Sequence, residues 1–213
     1  MSAFLDHLIA FAAAHAALAY LTVFLAALLE AVPVLGSLIP GSTIILALSA
    51  LIPGGQLDLI GVLIAAAAGA VLGDGTAFWI GHREQRRILN AWPLSRYPEL
   101  VARSEAFFLR FGNWAVLFAR FVPPFRALVP VTAGALKMSP LRFFTVNISA
   151  ILLWAPAHVL PGVVAATALE GTSASTAHHW LPVFAGVVAT IAVGVWAIQR
   201  WRKRGTGLAD GDA

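Results

Sequence analysis

Two stretches of this chain repeat a pattern with opposite charges. Glu30-Ala31-Val32-Pro33 is followed seven residues later by Pro40. Arg120-Phe121-Val122-Pro123 is followed seven residues later by Pro130, and the offset between the stretches is 90 residues. Both lie in strongly apolar sequence, and Arg126 adds a second guanidinium to the later one. A charge at membrane depth costs roughly 2.5–3.5 kcal/mol on insertion scales, so it needs a partner or a water-filled cavity. Guanidinium groups match phosphate bidentately. Half-helix N-termini beside a proline-rich turn would aim unpaired N–H groups at the same anion. Proline-broken apolar segments at matching positions in two halves point to a transporter's binding site.

A purely structural reading competes with this one. In it, Glu30 and one arginine form a buried ion pair that pins two broken segments together. One carboxylate cannot neutralise two guanidiniums, so the spare arginine favours an anionic ligand. Arg120 and Arg126 are six residues apart, about 600° of rotation in an unbroken helix. From such a helix they could not grip one small anion. Pro123 and Pro124 push the residues before them toward extended backbone, which lets the chain turn and bring both side chains together.

Other polar residues carry weaker signals. Asp74, in Gly73-Asp74-Gly75, has two open roles: capping a helix break or relaying a proton. Ser42, Thr43 and Thr132 are expected to bond backbone groups freed at the turns. His158 reads first as a packing residue, and His178-His179 as too isolated for a metal site. Trp and Tyr near span ends read as interfacial anchors.

The elements that must hold these residues are membrane segments. Of 213 residues, 60% are hydrophobic and 11% charged, with mean hydropathy +0.84, against about 25% charged in soluble domains. There is no cysteine, hence no disulfide, thiolate metal site or cysteine nucleophile. Residues 1–29 do not read as a cleavable signal peptide, because Asp6 and no Lys or Arg precedes the apolar run. Spans are expected at 8–29, 59–81, 143–168 and 181–199. Proline-broken hairpins are expected at 31–52 and 113–135. Pro156 and Pro161 should kink the third span. Residues 82–112 form an arginine-rich amphipathic segment, with Phe107, Phe108 and Phe111 in the interface.

Charge fixes the orientation. The basic segment 82–110 and the run Arg200, Arg202, Lys203, Arg204 should be cytoplasmic, whereas loops 53–58 and 169–180 hold no Lys or Arg. Both termini are then cytoplasmic. Counting crossings makes the two hairpins re-entrant from opposite faces, as an inverted repeat requires. The fold class is thus an all-α polytopic membrane protein with about four transmembrane helices. A single domain is expected over 1–204, with a disordered tail at 205–213.

The stretch Phe118-Ala119-Arg120-Phe121-Val122-Pro123-Pro124-Phe125-Arg126-Ala127-Leu128-Val129-Pro130, followed by Ala133-Gly134, resembles the DedA family. Glu30 before a Pro-Gly turn, Gly69, Gly73-Asp74, Gly81-His82-Arg83 and Phe111-Gly112 extend the likeness over roughly residues 20–165. The resemblance implies a bacterial inner-membrane protein related to VTT-domain lipid scramblases. It implies movement of lipids such as undecaprenyl phosphate or phosphatidylethanolamine, linked to the proton-motive force. It carries essential roles onto Glu30, Arg120 and Arg126. Many members have an acidic residue directly after the Pro-Gly of the first hairpin, where this chain has Ser42; a proton-coupling scheme with two carboxylates is weakened accordingly.

The combined expectation is a lipid transporter. Arg120, Arg126, Glu30, Ser42 and Thr132 meet the substrate, and Glu30 and Asp74 are the proton-coupling residues. The expected partners are a polyprenyl phosphate or phospholipid, the membrane and a second copy of the chain, with no nucleic acid, cofactor or metal. No P-loop, Gly-x-Ser-x-Gly elbow or metal-ligand spacing occurs, so no enzymatic activity is expected. A proton-coupled small-ion antiporter and a non-transporting membrane organiser are the alternatives.

Overall fold

The computed structural model describes residues 15–32 and 40–169. The start of the first expected span, residues 33–39 of the first hairpin, His178-His179, the last span and the basic tail lie outside them.

The described residues form helices and connecting turns, without strands. In chain order these are α1 Ala16–Glu30, α2 Gly41–Ser49, α3 Leu59–Glu84, α4 Arg86–Leu89, a 3-10 turn Leu94–Arg96, α5 Pro98–Phe111, α6 Asn113–Ala119, α7 Pro123–Arg126, α8 Leu128–Ala135 and α9 Pro140–Leu169. Two of them, α3 and α9, are long and apolar enough to cross a membrane. Asp58 caps α3 by accepting from Gly61 N at 2.8 Å, which satisfies one of the free donors at a helix start. Pro156 and Pro161 both sit inside α9.

The broken segment 113–135 resolves into three short helices. Val122 is extended, with φ −118° and ψ 105°, as the proline after it demands. This break separates α6, which ends at Ala119, from α7 and α8. Arg120 follows the end of α6, and Arg126 ends α7. The first broken segment contributes α2, which begins directly after Pro40.

α3 is the axis of the fold. Its first half packs against α1 and its second half against α8. Small residues let the backbones meet, the usual device where helices pack in lipid. A Cβ on Gly134 would stand 2.1 Å from the Phe78 carbonyl oxygen, and one on Gly81 would stand 2.1 Å from that of Val131. Both obstacles are backbone, so neither can yield by a rotamer change. Gly134→Ala is therefore expected to force α3 and α8 apart at a cost of about 1–3 kcal/mol. The reading is the thermal midpoint of the purified protein; an unchanged midpoint would show that this contact tolerates separation.

Among the described residues three apolar clusters result, two of which frame the site. One joins Val23, Ala27, Ile45, Val62, Ala66, Ala70, Ile151 and Trp154. The other joins Phe78, Phe107, Ala119, Val129, Ala133 and Phe143. Phe107 and Phe108 belong to this second cluster and are buried. Their expected interfacial position is thus corrected. The buried face of α5 runs through Val101, Ser104, Phe107 and Phe108, and Phe107 stacks on Phe125 at 5.1 Å. Residues that do meet the surroundings include Trp79, Trp92, Trp114, Ile60, Leu109 and Leu152.

Candidate functional site

The buried stripe of α3 advances in steps of four: Val62, Ala66, Ala70, Asp74, Phe78. Residues four apart share a helix face. The first three belong to one apolar cluster and Phe78 to the other, so Asp74 falls on the seam. α9 repeats this arrangement. Phe143 belongs to the second cluster, Ile151 to the first, and Asn147 lies between them. Two polar residues are thus carried to one level of the molecule by helical phase alone.

The arginines converge on that level. Arg120 pairs with Asp74, both fully or almost fully buried, and its Nη1 also donates to Asn147 Oδ1 at 3.3 Å. Arg126 pairs with Glu30 at the end of α1, and its Nη1 also donates to Ser42 Oγ at 3.1 Å. Ser42 in turn donates to Glu30 Oε1 at 2.6 Å. Both guanidiniums lie against the ring of Trp154, at 4.9 Å for Arg120 and 4.5 Å for Arg126.

This geometry changes three expectations. Arg120 is not spare: Asp74 neutralises it, so the four charges cancel in two pairs. Asp74 caps no helix break, because α3 is continuous from Leu59 to Glu84. Ser42 and Thr132 do not serve freed backbone groups. Ser42 bonds Glu30, and Thr132 bonds Ser104 at 2.9 Å, on the buried contact between α8 and α5. Thr132 therefore stands on a different contact from the arginines. His158 has its Nδ1 2.9 Å from the Trp154 carbonyl, a local bond of the kind a packed histidine makes.

Sequence reasoning missed Asn147 and Trp154. The signal was a polar and aromatic stripe on α9, Asn147, Ile151, Trp154 and His158, at steps of four, three and four. That spacing places them on one face.

The ion pairs leave much of each arginine unused. Each binds its carboxylate through Nη1, and on both residues Nε and Nη2 are buried without a hydrogen-bond partner. Asn147 Nδ2, Trp154 Nε1, Glu30 Oε2 and Asp74 Oδ1 are in the same condition. Buried polar groups of this kind cost about 1–3 kcal/mol each when unmet. The Nε–Nη2 edge is a two-pronged fork that fits carboxylate or phosphate oxygens. Among the described residues, no three of His, Asp and Glu converge as a metal site.

Residues 39–164 match the VTT domain family. The inner membrane protein YabI of Escherichia coli (strain K12) is 31% identical over 205 residues, covering 95% of this chain and 79% of that protein. An uncharacterized membrane protein of Mycobacterium bovis is 33% identical over 178 residues, covering 80% of this chain and 78% of that protein. Another, from Synechocystis, is 37% identical over 125 residues, covering 55% of each. No solved structure matches the chain. The matched residues include Asp74, Arg120, Arg126, Asn147 and Trp154, with Glu30 just ahead of them. The apolar helices α3 and α9, the arginine motif and these matches agree: the chain belongs to the VTT-domain (DedA) family of membrane proteins.

Proposed function

We propose that this protein moves a phosphate-bearing lipid, a polyprenyl phosphate or a phospholipid, across the bacterial inner membrane. One observation carries the reading: both buried arginines hold their carboxylates by Nη1 alone and keep an unmet Nε–Nη2 fork. A phosphate could occupy these forks without first breaking either ion pair. The fold expected around the site is the inverted repeat described above, with the two broken segments entering from opposite faces and both termini cytoplasmic. Glu30 holds Arg126 while the site is empty, and its protonation would weaken that pair and turn more of the guanidinium's charge toward the headgroup.

A groove of about 450 Å³ on the flank of α3 adds support. It is lined by Leu72, Thr76, Trp79 and Phe144, with Arg83 on its wall. Thr76 satisfies its hydroxyl on the Leu72 carbonyl at 2.7 Å, so the surface suits a hydrocarbon tail. A specific observation also favours the organiser reading. The four charges cancel in pairs, so the site is balanced without any ligand.

Purified protein in liposomes decides among these readings. Flipping of a labelled lipid phosphate is expected without matching ion flux. Glu30→Gln should flip lipid with no dependence on pH. Ion flux without lipid movement would select the antiporter, and neither activity would select the organiser.

A further inference from the structure

We propose that Trp154 is a positioning residue, one indole surface that gathers Arg120 and Arg126 so that their forks face a single phosphate. This rests on the lipid-transport reading of the same site. The two guanidiniums come from opposite sides of the break at Val122 and answer to carboxylates on different helices, Asp74 on α3 and Glu30 on α1. Like charges repel, and their carboxylates pull them toward separate partners. What they share is Trp154, at 4.9 and 4.5 Å. A ring face attracts a cation within about 6 Å, and more strongly where water is excluded. Trp154 is fully buried, so this attraction acts at its strong end.

The ring is itself held. His158 packs against it with centroids 4.7 Å apart, and the His158 Nδ1 meets the Trp154 carbonyl. Asn147, two turns earlier on α9, accepts from Arg120. One helix therefore supplies both the platform and a guide for one of the cations. Packing alone explains the site poorly. A buried Trp usually finds a partner for its N–H, yet Nε1 here has none. An aliphatic side chain would fill the space without stranding a donor.

The test keeps the shape of the ring and changes its face. Tryptophans carrying one to four fluorines are placed at position 154 by site-specific incorporation, and binding of dihexanoyl phosphatidic acid is measured in detergent. Each fluorine weakens the cation–π attraction, so Kd should rise by steps to about tenfold for the most fluorinated ring. The ligand-free thermal midpoint should fall in the same order. Two results overturn the proposal. A flat series in both measurements means that Trp154 only fills space. Tighter binding with fluorination means that the indole N–H, made more acidic, donates to the phosphate instead. If the parent does not bind the lipid phosphate but the midpoint still falls by steps, the lipid reading fails and the gathering role of Trp154 stands.

Discussion

Asp74→Ala is expected to destabilise the protein by about 3–5 kcal/mol, among the largest effects of any single substitution in this chain. The reason is what it leaves behind. Arg120 is 5% exposed and Asp74 is not exposed at all. Removing the carboxylate strands a guanidinium whose Nε and Nη2 already lack partners, and an unpaired buried charge is far more costly than the pair is beneficial. Asn147 cannot compensate, because its carbonyl oxygen is a neutral acceptor at 3.3 Å. The double variant Asp74→Leu/Arg120→Leu should recover most of the loss, since two apolar side chains can replace a buried pair at little cost. Reversible unfolding in detergent, with all three proteins compared, measures this. If Asp74→Ala is as stable as the parent, water reaches Arg120 and the pair is not sealed.

How much of this was legible in the sequence depends on the residue. The break at Val122 was legible because proline acts on its immediate neighbour, and the structure puts Val122 in the extended region. Glu30 and the arginines stood out because charge in apolar sequence demands an account. The pairing was not legible. Arg120 meets Asp74 across 46 residues and Arg126 meets Glu30 across 96. Which carboxylate faces which arginine depends on helix phase and on how α1, α8 and α9 pack around α3. Flanking glycines leave a helix cap open as one of two roles for Asp74, beside a proton relay. Those glycines act as packing surface instead: a Cβ on Gly73 would stand 2.7 Å from the Leu28 carbonyl oxygen. Phe107 and Phe108 were misplaced for a related reason. An amphipathic helix shows which face is apolar, not whether lipid or protein covers it.

Arg120→Lys and Arg126→Lys separate the two jobs of the arginines. In the structure each ion pair uses one nitrogen, Nη1. A lysine ammonium can occupy that place and keep the charge, so both variants should fold and stay close to the parent in stability. What lysine cannot supply is the planar Nε–Nη2 edge, the part left unmet in both residues. Loss of a charge-assisted contact of roughly 1.5–3 kcal/mol weakens binding by about ten- to hundredfold. Each variant is therefore expected to bind a short-chain phosphatidic acid at least about tenfold more weakly, and to lose most lipid flipping in liposomes. The comparison with Asp74→Ala gives the result its meaning. That change should damage the fold through an unpaired charge, whereas the lysine changes should leave the fold intact and damage only the grip. A purely structural pair of salt bridges predicts the same stability but a different binding result: lysine variants that bind lipid phosphate as the parent does. Parent-like binding by both folded variants would remove the phosphate fork from the mechanism and leave the arginines as pins between helices.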